Sequence, residues 1–212
     1  MIDPLTADLA ACVQALRTDP ILTENTLGMI DFCRGLLSRG ESGLALMRAV
    51  VRDSSYKARI RACAARVLSP QLEPADVENT CSLLLSGKPI TRYMAAVALC
   101  RTASPASVDA LIEALDDDEL IADMDWGMFM SDVAALALTR IGGAGQPALA
   151  AWGERRRQDL HNPSYRWVAA CALAQVGDAQ GLAVLEELVA TEDDYMARDV
   201  LKALREGREI YL

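Results

Sequence analysis

Aromatic residues are scarce: two Phe, three Trp and five Tyr make up 5% of 212 residues. The apolar half of the chain is Ala, Leu and Val, a mixture that suits close-packed helices better than sheets. No segment alternates long enough to read as a strand. Histidine is scarcer still, with His161 alone in "DLHNPSYRW". No His stands near any cysteine to activate a thiol nucleophile, and no His-Glu pair suggests a metal site. The six cysteines, Cys12, Cys33, Cys63, Cys81, Cys100 and Cys171, include no Cys-x-x-Cys pair. Set among apolar helical residues, they read as buried free thiols of a reducing compartment, so the expected location is the cytoplasm. No apolar run approaches the roughly 18–20 residues that span a bilayer. The start "MIDPLTADLAACVQALRTDP" has no basic region and is not expected to act as a signal peptide. The one glycine-rich loop, "GGAGQP" at 142–147, lacks both a following Lys-Ser/Thr and a preceding strand, so it is no phosphate loop. An enzyme is therefore the less favoured reading, and neither a cofactor nor a metal is expected.

Negative charge, by contrast, is plentiful. The formal net charge is −9, with a pI near 4.7. Such a chain repels phosphate backbones and anionic lipid, so neither nucleic acid nor membrane is the expected partner. Six of the acids lie in one stretch, "DDDELIADMDWGMFM" at 116–130, beside one Trp, one Phe and three Met and with no Lys or Arg.

Alanine is plentiful as well, and it recurs in step. Aligning the chain on Leu68, Leu99, Leu138, Leu173 and Leu204 places Ala64/Ala65, Ala95/Ala96, Ala134/Ala135, Ala169/Ala170 and Val200/Leu201 four and three residues earlier. Seven residues before the anchors stand Arg61, Arg92, Ser131, Arg166 and Ala197. A degenerate earlier copy is anchored on Leu37 in "LGMIDFCRGLL". Small residues at adjacent positions allow close helix approach, while Leu fills the space beyond. Breaks at Pro70 and Pro74, Pro105, Gly142–Gly143 with Gly145 and Pro147, and Gly177 with Gly181 separate a second amphipathic helix in each copy. Ser54, Ser55, Ser164 and Asp194 are expected to cap the first helices. Each copy is thus a helical hairpin that cannot bury its apolar face alone. The expected fold is an all-α solenoid of about five stacked antiparallel hairpins. Residues 1–53 are expected to form an N-terminal helical cap, with the degenerate copy around Leu37 as a candidate repeat within it, and 54–212 the repeats, interrupted by an acidic, aromatic insertion at 116–130.

The pattern Arg-x-x-Ala-Ala-x-Ala-Leu, a glycine turn and a second Leu-bearing helix resembles HEAT-like repeats of the short, phycobilisome-lyase type. "RWVAACALAQVGDAQGLAVLEELV" carries it best, "RYMAAVALC" and "SDVAALALTRIGG" well, and the resemblance covers about 55–210. It implies a fold more than an activity, since such repeats serve scaffolds, adaptors, inhibitors and a few enzymes. It also implies that second helices line the concave surface. Positions ten and fourteen residues after each anchor would then share one face: Glu78 and Ser82, Asp109 and Glu113, Ala148 and Trp152, Ala183 and Glu187.

Two function classes follow. The first is a non-enzymatic scaffold or adaptor, with an inhibitor or immunity-type protein as a special case. It binds another protein with a basic surface through Asp116, Asp117, Asp118, Glu119, Trp126, Phe129, Asp109, Glu113 and Trp152. The Met residues of the insertion supply soft surface and its acids steer the partner; Trp is favoured at binding hot spots. The bland alternative has the aromatic and Met side chains tucked into the core, with the acids as a solvated edge. The second class, implied by the resemblance alone, is a bilin lyase or chromophore chaperone, for which Tyr165, Arg166 and Trp167 form the candidate cluster. The run Arg155–Arg156–Arg157 reads as surface charge or as an intramolecular partner of nearby acids.

Overall fold

The computed structural model describes residues 2–20, 25–69, 71–120, 129–161, 166–191 and 195–206. The fold is an all-α helical repeat. Among the described residues there are twelve α-helices and three short 3-10 turns, and the one strand-like pairing is an isolated bridge between Leu120 and Phe129. No described helix is long and apolar enough to cross a membrane. The chain divides into two compact units, Met1–Thr102 and Ala103–Leu212.

The first unit holds α1 (Leu9–Thr18), α2 (Thr26–Leu37), α3 (Glu41–Arg52), α4 (Ala58–Leu68), α5 (Pro74–Ser86) and α6 (Pro89–Thr102). Helices α2, α4 and α6 pack in sequence as one layer, and α3 packs on α5 as the other. The second unit holds α7 (Val108–Ala114), α8 (Met130–Ile141), α9 (Gln146–Arg155), α10 (Arg166–Gln175), α11 (Ala179–Thr191) and α12 (Tyr195–Glu206). There α8, α10 and α12 form the first-helix layer, with α9 and α11 joined to it as hairpin partners. Helices α2 and α3 pack together and on the next hairpin.

The alanine register explains the first-helix layer. Both alanines of each pair and the anchors Leu68, Leu99, Leu138 and Leu173 are buried. Two anchors shift. In α2 the buried residue is Leu36, with Phe32 and Cys33 in the places of the alanine pair, while Leu37 is half-exposed. In α12, Leu204 is half-exposed although Ala197, Val200 and Leu201 are buried. The repeated arginine has a mechanical role. Arg61 Nε donates to the Val51 carbonyl at 2.9 Å, and Arg92 Nε to the Leu84 carbonyl at 3.0 Å. Each thereby satisfies a carbonyl near the end of the preceding second helix, where intrahelical donors run out. The expected caps Ser54 and Ser55 do not serve α4: its first turn begins at Lys57 without a side-chain cap, and the Ser55 N–H donates to Asp53. Ser164 and Asp194 lie outside the described residues.

Second helices share a buried stripe at spacing i, i+4, i+7. It reads Gly43–Met47–Val50, Asp76–Thr80–Leu83, Ser107–Leu111–Ala114, Gly145–Leu149–Trp152 and Gly181–Leu185–Leu188. The first member sits where the two helices of a hairpin approach most closely, so it must be small or internally bonded. A Cβ on Gly43 would stand 1.8 Å from the Leu36 carbonyl oxygen, and one on Gly181 would stand 2.7 Å from the Ala174 nitrogen. Asp76 fits the same place because both its oxygens are used: Oδ2 accepts from the Glu73 N–H at 3.0 Å, and Oδ1 from Arg52 Nε at 2.6 Å.

Candidate functional site

The insertion departs from the repeat in a definable way. After α7 the chain turns through Asp116–Leu120 and returns at Phe129, where Phe129 faces Leu120 across the bridge. Two of the orphan N–H groups at the start of α8 find partners there: Met130 donates to the Glu119 carbonyl at 3.1 Å, and Ser131 to the Asp117 carbonyl at 2.9 Å. Asp117 Oδ1 accepts from the Glu119 N–H at 3.0 Å, and Asp118 Oδ1 from the Ser131 hydroxyl at 3.3 Å. Part of the acidic run is therefore turn chemistry. It also replaces what the repeat lacks here, since Ser131 stands where three other copies have Arg61, Arg92 and Arg166.

Arg156 holds the other side. Its guanidinium lies 5.5 Å from the ring centroids of both Phe129 and Trp152. It pairs with Asp159 at 2.5 Å, with Asp132 at 3.3 Å and with Asp118 at 3.7 Å. Arg155 pairs with Asp116 at 2.9 Å, and Arg157 with Glu154 at 2.6 Å and Asp178 at 2.8 Å. Burial pushes the Asp132 carboxyl above its ordinary pKa, with Arg156 pulling it back. Between these groups lies an open cleft of about 500 Å³, with Trp152 and Phe129 as apolar wall and Asp116, Asp118, Arg155 and Asp159 at its rim. The side chains of Asp116 and Asp118 are each 77% exposed, so neither carboxylate is used up by its arginine.

Four of the residues expected in a site therefore meet: Asp116, Asp118, Phe129 and Trp152. Asp117 and Glu119 belong to the turn that supports them. Asp109 and Glu113 are exposed on α7 and do not line the cleft. Trp126, like Met124 and Met128, lies outside the described residues. Trp152 requires a correction. Counting fourteen from Leu138 put it on the open face with Glu113 and Glu187, but it is 2% exposed. The turn before α9 is one residue shorter than in the copies on either side, so Gly145 falls seven rather than eight residues after its anchor. One residue rotates a helix by about 100°, which moves Trp152 into the stripe occupied elsewhere by Ala114 and Leu188. Arg155, Arg156, Gln158 and Asp159 were not expected in the site; the signal for them was the i, i+3 pairing of Arg156 with Asp159 beyond the helix end.

The other candidate groups are accounted for locally. Arg166 pairs with Glu187 at 3.0 Å, and Tyr165 lies outside the described residues. His161 is exposed. All six cysteines are free, and all but Cys81 are buried. Burial pushes the thiols of Cys12 and Cys33 up, and those of Cys63 and Cys81 to about 11, which opposes nucleophilic use. Among the described residues no group of three or more His, Cys, Asp or Glu is placed to hold a metal ion.

Residues 91–117, which cover most of α6 and all of α7, match the family model described as PBS lyase HEAT-like repeat. No curated protein matches the chain.

Proposed function

Since the chain carries a HEAT-like repeat within an all-α helical repeat fold, we propose that it is a non-enzymatic protein-binding module, a scaffold or adaptor whose second unit engages a basic segment of another protein. The observation that carries this reading is the acid-rimmed aromatic cleft. Asp116 and Asp118 are exposed yet positioned by Arg155 and Arg156, and the wall behind them is aromatic. A lysine or arginine side chain entering it meets the exposed Asp116 and Asp118 carboxylates at the rim, while Arg156 already covers the rings behind. The arrangement favours recognition over turnover, because its arginines pair with its carboxylates and no thiol lines it.

The repeat type also allows a chromophore-binding protein. The arginine such a reading would use, Arg166, is ion-paired with Glu187, so the protein-binding reading is preferred. The test is capture from the source lysate by the immobilised chain and by its Asp116→Lys/Asp118→Lys variant. Loss of a basic protein from the variant's captured set supports the reading; identical sets from the two refute it.

A further inference from the structure

A second cleft, of about 330 Å³, lies within the first unit and has the opposite character. Three arginines reach it from three successive first helices: Arg34 from α2, Arg66 from α4 and Arg101 from α6. The repeat produces this ladder. Arg34 and Arg66 each stand two residues before their buried anchors, Leu36 and Leu68, and Arg101 stands two after Leu99, one helical turn further along the same face. Ile30, Leu37 and Val67 supply the apolar wall, and no described carboxylate lines the cleft.

The arginines are poorly compensated. Arg34 pairs with Asp31 at 3.0 Å, both largely exposed. Arg66 donates a hydrogen bond to the Met94 sulfur at 3.0 Å, a weak acceptor. Neither Arg66 nor Arg101 has a described carboxylate within ion-pair distance. Burial lowers the Arg66 pKa; Tyr93 opposes this, while Arg101 and Arg34 lower it further. Holding a half-buried guanidinium between two others is unfavourable unless something negative offsets it. In a chain with thirty acids, none is described in this place.

We infer that this cleft is a binding site for a small amphiphilic oxyanion, a carboxylate or phosphate on a short apolar stem. The three arginines would hold the head group, with Arg66 as the innermost fork, and Ile30, Leu37 and Val67 would cover the stem. Guanidinium groups suit either head group because their parallel N–H donors match two oxygens at once. The volume sits at the small end of ligand clefts.

The experiment is calorimetric titration of the full chain, at fixed ionic strength, with hexyl phosphate, hexanoate and inorganic phosphate. The expected result is saturable one-to-one binding of hexyl phosphate or hexanoate, at least tenfold tighter than inorganic phosphate. Which stem-bearing anion binds identifies the head group. Arg66→Gln and Arg101→Gln should each weaken that binding at least tenfold, while Arg155→Gln, in the other cleft, leaves it unchanged. Arg101 is exposed, so Arg101→Gln decides the matter even where circular dichroism shows that Arg66→Gln has unfolded. Absence of saturable binding by all three anions, or equal affinity in the wild type and Arg101→Gln, overturns the inference.

Discussion

Residues 1–102 carry twelve Lys and Arg against ten Asp and Glu, a net charge of +2, whereas residues 103–212 carry nine against twenty, a net −11. The two units use one packing rule, with alanine-paired first helices and a small-first stripe on the second helices. On that shared frame each opens a cleft of different sign. In the first unit, arginines of the first-helix layer line the cleft without described carboxylates. In the second, a longer connection brings acids against an aromatic wall. The acidity seen in the whole sequence is thus a property of one half, and the half that looks unremarkable by net charge holds the arginine cleft.

The two units differ most sharply at the hairpin approach. Gly43→Ala puts a methyl group against a backbone carbonyl that has little room to move, and should cost about 3 kcal/mol. Gly145→Ala, the same register position in the second unit, meets the end of the Leu138 side chain at 2.7 Å, and should cost about 1 kcal/mol. Urea unfolding of the two variants reads the difference. At this position in the next repeats, Asp76→Asn removes the charge facing Arg52 and should cost about 3 kcal/mol. Ser107→Ala loses one bond, from the Ser107 hydroxyl to the Ser104 carbonyl, and should cost about 1 kcal/mol.

Acid separates two carboxylates of the second unit. Arg157 and the Gly181 N–H hold Asp178 below its ordinary pKa. Its contribution is therefore present above the unfolded value near 3.9 and fades as pH falls through the lower folded value. Asp178 also caps α11, so Asp178→Ala should cost about 1 kcal/mol at pH 7 and progressively less in acid. Asp132 runs the other way. Its folded pKa is raised, so its contribution is full below the unfolded value and is lost as pH rises through the folded value. Thermal melts between pH 3 and pH 7 should show the wild type gaining on Asp132→Asn as pH falls, and losing its advantage over Asp178→Ala. The smallest effect concerns Ala103, which adopts φ 51° at the place four residues after an anchor where the next repeats have Gly142 and Gly177. Ala103→Gly should stabilise by about 0.5 kcal/mol, whereas Gly177→Ala should destabilise by about 1 kcal/mol.

The first-helix layer was legible in the sequence because its signal is redundant: paired alanines, an anchor leucine and a preceding arginine repeat together. The second helices were less so, since their stripe allows Gly, Asp or Ser at its first place and anything from Ala to Trp at its last. A turn shorter by one residue was enough to misplace Trp152. A shift of the same size separates Leu37, the anchor expected from spacing, from the buried Leu36. Asp116, Asp118 and Phe129 were legible as an anomaly, because the insertion lengthens one repeat to a 39-residue spacing. Their partners Arg155 and Arg156 were open to two readings, since pairing across some forty residues leaves no periodic trace. The arginine ladder of the first unit went unread for a related reason: its members sit thirty or more residues apart, each unremarkable alone.

On the proposed function, the acid-rimmed cleft, and not the arginine cleft, is where another protein docks. A photo-crosslinking residue placed at Gln158, exposed beside Asp159, or at Ser38, beside Arg34, tests this in the source lysate. The prediction is a covalent protein adduct from position 158, abolished by Asp116→Lys/Asp118→Lys, and none from position 38. Adducts from position 38 alone, or adducts at 158 that survive the charge reversal, would contradict it.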